Sequence, residues 1–135
     1  MRKILDCQTP RPVYTADACA ITCYDARFDS VLQKFFQYKG LGVIDHVKIP
    51  GAAKGLASEG AERDIALTMV RISLNLHHAP LVILMGHNEC GGYPGLPPAA
   101  VTADLLKAAD FLRSQEPNLR VECYFADFDG IYEVG

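Results

Sequence analysis

Leu81-Val82-Ile83-Leu84-Met85-Gly86-His87-Asn88-Glu89-Cys90-Gly91-Gly92 is the stretch whose reading decides the fold. Five apolar side chains in a row, with no polar alternation, predict a strand buried on both faces, as in the middle of a parallel sheet. Pro80 separates that strand from what precedes it. Gly86 is expected to allow a tight turn out of the strand into His87-Asn88-Glu89-Cys90, where one turn can bring an imidazole and a thiolate together.

Working outward, the pattern alternates between strands and helices. Upstream, the spacing predicts a helix over 58–77, with Ile65, Met69, Ile72 and Leu76 on one stripe and Leu67, Val70 and Leu74 on another. Such a wide apolar surface implies burial against the sheet and a second body. Before it lie a strand over 17–24 and a helix opened by Asp29-Ser30, with Ser30 and Gln33 as a capping box and Gly40 as its stop. A strand over 43–49 follows, closed by Pro50-Gly51, and a small-residue loop, Gly51-Ala52-Ala53-Lys54-Gly55. Downstream, the Pro94–Pro98 loop feeds a helix over 99–114 with Val101, Leu105, Ala108 and Leu112 inward. A strand over 119–125 comes next, and Asp129-Gly130 reverses the chain into a short tail over 131–134. The expected class is α/β: a central, mainly parallel sheet flanked by helices, in a single domain over 1–135.

Composition narrows the function. The chain has 135 residues, a formal net charge of -3 and scattered lysines and arginines. That offers no basic field for nucleic acid. The longest apolar run, Ala79–Gly86, is too short to span a bilayer, and no leader-like hydrophobic segment follows Met1. A soluble, cytoplasmic protein is expected. Five cysteines do not make a disulfide framework. Cys7, Cys19 and Cys123 are expected to be small buried hydrophobes.

The remaining two cysteines have chemical company. Cys23-Tyr24-Asp25-Ala26-Arg27 ends the first strand, and His87-Asn88-Glu89-Cys90 ends the third. In such sheets ligands gather beyond the carboxyl ends of the strands. On an extended chain Cys23 and Asp25 point the same way, and Arg27 continues that face. Singly, these residues read as core cysteines, a hydrogen-bonded histidine and a surface ion pair. Together, two thiolates and an imidazole are a zinc-preferring set that leaves a fourth position for chemistry.

The two runs resemble the signature of the β-class carbonic anhydrases, Cys-x-Asp-x-Arg followed at a distance by His-x-x-Cys-Gly, with the resemblance covering roughly residues 17–92. It implies that Cys23, His87 and Cys90 bind Zn2+, and that Asp25, held by Arg27, accepts a hydrogen bond from the zinc-bound water. In some members the aspartate itself becomes a fourth ligand. The implied activity is zinc-dependent, reversible hydration of carbon dioxide to bicarbonate by a zinc-bound hydroxide, in a homodimer or higher homo-oligomer. Hydrolysis of an analogue, carbonyl sulfide or carbon disulfide, is the alternative within the enzyme class, and a non-catalytic zinc-binding regulatory module is the alternative outside it.

The chain departs from that pattern in three places. Ala26 stands where the family commonly has serine, Lys48–Ala53 replaces an Arg-Asn-Ala-Gly-Asn run, and the helical region after Gly92 is short. Elsewhere, His46 is expected to be structural, His77 and His78 to cap a helix end at the opposite edge of the sheet, and Lys54 to be a solvated loop lysine. Glu89 is left open between an acceptor behind the ligands and an exposed side chain. Tyr24 and Tyr93 flank the ligands, with packing as their default.

Overall fold

A computed structural model describes residues 1–9 and 13–135. Five strands form one sheet: β1 (Ala18–Cys23), β2 (Ile44–Ile49), β3 (Leu81–His87), β4 (Arg120–Ala126) and β5 (Ile131–Glu133), in the order β2-β1-β3-β4-β5. Strands β1 to β4 are parallel, and β5 returns antiparallel along β4. The connections carry α1 (Asp29–Tyr38), α2 (Lys54–Ala57), α3 (Ala61–Leu76) and α4 (Pro98–Gln115). The α/β class and the central position of the 81–87 strand are as the apolar run predicts.

Side-chain alternation along the strands splits the core in two. Ala18, Ala20, Ile83, Met85 and Tyr124 face α1 and pack on Phe28, Leu32, Phe35 and Phe36. Cys19, Ile21, Val82, Leu84, Val121 and Phe125 face the other way, toward Leu56, Ala66, Val70, Val101, Leu105 and Leu112. One helix therefore covers one face and three cover the other.

Several local expectations need correction. Helix α1 begins after a 3-10 turn (Ala26–Phe28) and has no side-chain cap, so the Ser30–Gln33 capping box does not form. The expected 58–77 helix starts only at Ala61, because Ser58 is extended and Gly60 sits at φ 147, a conformation that L side chains rarely adopt, and the expected Gly51–Gly55 loop runs instead into the short α2. On α3, Ala66, Val70 and Ser73 are buried, while Ile65, Met69, Ile72 and Leu76 are exposed. Gly86 is no turn residue. It lies inside β3, where a Cβ would come 2.3 Å from Val101 Cγ1, so glycine is what lets α4 sit against the strand. Cys19 and Cys123 are buried as expected, but Cys7 is exposed in an N-terminal segment without regular structure.

Candidate metal centre

Strands β1 and β3 are neighbours, yet the chain leaves β1 for β2 on one side and β3 for β4 on the other. Their carboxyl ends therefore flank the switch point of the sheet, where open α/β sheets leave a crevice. Cys23 is the last residue of β1, and its side chain packs on the α3–α4 face. His87 is the last residue of β3 and lies on the α1 side, its ring 4.6 Å from that of Phe28. A turn over 88–90, with Glu89 at φ 49, brings Cys90 back toward Cys23. The candidate ligand atoms of Cys23, His87 and Cys90 lie within 4.8 Å of one another, and the two Sγ atoms are 3.6 Å apart.

Backbone crowding holds the turn in place. The Gly92 N–H donates to Cys90 Sγ at 3.4 Å, and a Cβ on Gly92 would lie 2.9 Å from the Gly51 Cα. Gly92 thus permits the close approach that the sequence suggested, whereas Gly91 faces open space. Burial pushes the Cys23 thiol up to about 11, against a backbone hydrogen bond from Gly51 that pulls the other way. Metal loading at such thiols must displace their protons.

The imidazole is arranged for ligation. His87 Nδ1 lies 2.7 Å from the Asn88 carbonyl oxygen, which can only accept, so Nδ1 carries the proton and Nε2 presents its lone pair. That Nε2 is buried and has no hydrogen-bond partner among the described residues. An orphaned buried acceptor is costly unless something occupies it. With two thiols beside it, the donor set fits zinc.

Asp25 occupies the space next to this lone pair, its Oδ2 3.6 Å from His87 Nε2. Its carboxylate accepts from the Arg27 backbone N–H at 3.0 Å, from Nε at 3.1 Å to each oxygen and from Nη2 at 2.7 Å. Arg27 Nη2 also donates to the Glu89 carbonyl at 3.1 Å, tying together the loops that follow β1 and β3. The Arg27 guanidinium holds the Asp25 carboxyl down at about 2, although burial opposes it. The side-chain alternation expected through Arg27 stops at Asp25, because the 3-10 turn folds the arginine back onto it.

Beside the cluster is a small recess of about 10 Å3, walled by Phe28, Leu32, Met85 and Ala126 together with Asp25 and His87. A larger cleft of about 680 Å3 lies between α1 and the β4–β5 edge, lined by Lys39, Glu122 and Tyr124, and contains none of the cluster.

The other candidates fall where their surroundings put them. Lys54 is not simply solvated: its ammonium donates to the Gly92 carbonyl and lies 5.0 Å from the Tyr93 ring centroid. Tyr93 is buried and donates to Asp104, while Tyr24 is exposed. Glu89 contributes its backbone carbonyl, and its side chain belongs to an exposed residue. His46 Nε2 pairs with Thr22 Oγ1 at 2.7 Å. His77 does more than end α3, since its Nδ1 lies 2.7 Å from Asp45 Oδ2 and 2.9 Å from the Tyr14 hydroxyl. Sequence reasoning missed Phe28, Asn88 and Asp127 as neighbours of the cluster. The one available signal was the turn-prone Asp127-Phe128-Asp129-Gly130 run.

The chain belongs to the family described as "Putative carbonic anhydrase", whose model matches residues 14–134. An uncharacterized protein of Rickettsia conorii is 29% identical over 133 residues, covering 87% of this chain and 71% of that one. A second, from Rickettsia bellii, is also 29% identical over 133 residues and is covered to 80%. Among solved structures, a carbonic anhydrase from Glaciozyma antarctica matches with a TM-score of 0.67 at 18% identity, over 92% of this chain and 85% of that one. A β-carbonic anhydrase from Trichomonas vaginalis matches with a TM-score of 0.68 at 11% identity, over 96% and 87%. These two likenesses establish the shared fold.

Proposed function

We propose that this protein is a zinc-dependent carbonic anhydrase that interconverts carbon dioxide and bicarbonate, with Cys23, His87 and Cys90 as metal ligands, Asp25 as the hydrogen-bond acceptor at the open position and Arg27 as its holder. The observation that carries this reading is the buried, unpartnered His87 Nε2, converging with two thiols beside the Asp25–Arg27 pair. A purely structural zinc site takes four protein ligands, and here the fourth side is faced by a carboxylate already engaged with arginine.

Zinc, when bound, supplies the Lewis acidity that makes a hydroxide nucleophile available near neutral pH. The chain's own residues do the rest. Asp25, kept ionised by Arg27, can only accept a hydrogen bond. It would therefore accept the hydrogen of a hydroxyl bound beside it and so orient that group for reaction with carbon dioxide. Two thiolates would neutralise a divalent cation, so this oriented acceptor matters more here than in an all-imidazole site. The adjacent Phe28, Leu32, Met85 and Ala126 side chains give the cluster an apolar flank, which suits a small apolar substrate.

Carbonyl sulfide and carbon disulfide present the same electrophilic carbon and belong in the same assay. The exposed stripe Ile65, Met69, Ile72 and Leu76 on α3 supports a homodimer or higher homo-oligomer. No helix among the described residues is long and apolar enough to cross a membrane, and a single-domain cytoplasmic protein is the corresponding proposal.

Metal analysis is expected to find about one zinc per chain, lost in Cys90→Ser. Stopped-flow hydration of carbon dioxide should rise with pH through the neutral range and vanish in that variant. Full zinc occupancy without turnover of carbon dioxide, carbonyl sulfide or carbon disulfide at any pH would overturn the enzyme assignment and leave a zinc-binding regulatory module.

A further inference from the structure

The hairpin that ends the chain touches the candidate ligand His87 through an unbroken set of contacts. His87 pairs with Ala126 across β3 and β4, which brings the first residues after β4 alongside the 88–90 turn. The Asn88 N–H donates to the Ala126 carbonyl at 2.9 Å, and Asn88 Nδ2 donates to Asp127 Oδ1 at 2.9 Å. The side-chain oxygen of Asn88 accepts the Glu89 N–H at 2.9 Å, at the one residue of this turn in the left-handed region. Asp127 is itself fixed. Its Oδ1 accepts the Phe128 N–H at 2.8 Å, and its N–H donates to the Gly130 carbonyl at 2.8 Å.

We infer that Asn88 and Asp127 are positioning residues for His87, with the β4–β5 hairpin acting as the outer support of the metal centre. The carbonyl that fixes the His87 tautomer belongs to Asn88, whose peptide is held from one side by Ala126 and whose side chain is held by Asp127. Losing the Asp127 carboxylate frees the Asn88 side chain, and with it the Glu89 N–H that the strained turn relies on. The Asn88 carbonyl is then held less firmly, through the Ala126 contact alone, and the imidazole that donates to it is less firmly directed. Phe128 adds a second contact from the same hairpin, its ring 6.0 Å from Phe28, which in turn lies against His87. Partners behind a ligand commonly control affinity by about 10–100-fold.

This inference rests on the zinc assignment, and its test separates the two. Zinc affinity is measured by chelator competition, and the ligand-field spectrum is recorded on the cobalt(II)-substituted protein, for the full chain and for Asn88→Ala, Asp127→Ala and Asp127→Asn. Both alanine variants should bind zinc about 10–100-fold more weakly and change the cobalt spectrum. Asp127→Asn keeps an oxygen at the Oδ1 position and should stay near the parent protein. Unchanged affinity and spectra in the folded alanine variants would overturn the positioning role. Because an alanine variant can lose the hairpin altogether, the tautomer of His87 is also read in the unsubstituted, metal-free protein by long-range proton–nitrogen correlation. A proton on Nδ1, donated to the Asn88 carbonyl, is expected, and an Nδ1 without a proton would overturn the inference. Failure of the parent chain to take up zinc would instead overturn the metal assignment, with the tautomer result unaffected.

Discussion

Arg27 grips Asp25 from two residues away, through its own backbone N–H and through Nε and Nη2, while the same Nη2 reaches the Glu89 carbonyl on the loop that carries Cys90. One guanidinium thus keeps Asp25 ionised, orients it and joins the loops after β1 and β3. Arg27→Ala is expected to leave zinc content unchanged and to lower kcat/KM for carbon dioxide by about 10–100-fold, as loss of a partner behind an active group does. Arg27→Lys should recover little, because an ammonium cannot match the two-oxygen geometry. Wild-type turnover in Arg27→Ala, measured by stopped flow with parallel metal analysis, would remove Asp25 and Arg27 from the mechanism.

Gly86 and Val101 make a packing prediction that involves no chemistry. An added methyl at Gly86 meets Val101 Cγ1 at 2.3 Å, and a β-branched side chain on a buried helix face has little freedom to turn away. Gly86→Ala should cost about 1–3 kcal/mol in urea unfolding, and Val101→Ala in the same chain should return part of that loss. Additive losses in the double variant would mean that the close approach of α4 to β3 is not what requires glycine.

Acid stability should depend on Asp45. Burial favours its neutral form, but hydrogen bonds from Ser73, Tyr14 and His77 outweigh burial and hold the carboxyl below its ordinary value of 3.8. A depressed folded-state value contributes stability above the unfolded-state value and loses it as pH falls through the folded one. Urea midpoints followed from about pH 6 to about pH 3 should therefore fall more steeply in the parent chain than in Asp45→Asn. Parallel curves would show that the cluster joining β2, α3 and Tyr14 does not couple to acid unfolding.

The exposed α3 stripe sets an assembly prediction. Ile65→Lys with Ile72→Lys is expected to yield a monomer by sedimentation while preserving the far-ultraviolet spectrum, since both side chains are exposed in the single chain. An oligomer of unchanged mass would place the interface elsewhere. A monomer in the parent chain as well would remove the homo-oligomer proposal.

The class of fold and the grouping of Cys23, His87 and Cys90 were legible in the chain itself. An unbroken apolar run at 81–85 can be satisfied only by burial on both faces, and soft donors at two strand ends have few other uses, so local composition carried that information. Element edges were less legible where neighbours decided them. The capping box at Ser30 lost to the 3-10 turn that the Asp25 carboxylate caps, and Gly86 looked like a turn residue until α4 was set against it.

The sequence by itself determined the donor types, their places at the ends of β1 and β3, and the alternation that builds the sheet, because these depend on residue identity and short-range periodicity. Only the tertiary structure decided that Cys23 and Cys90 meet across 67 positions of chain, that the Asn88 carbonyl takes His87 Nδ1 and leaves Nε2 without a partner among the described residues, and that Asp127 holds Asn88. Those relationships arise from strand register and from the direction of single carbonyl groups. Both are set by packing between segments far apart in the chain, where no local pattern reaches.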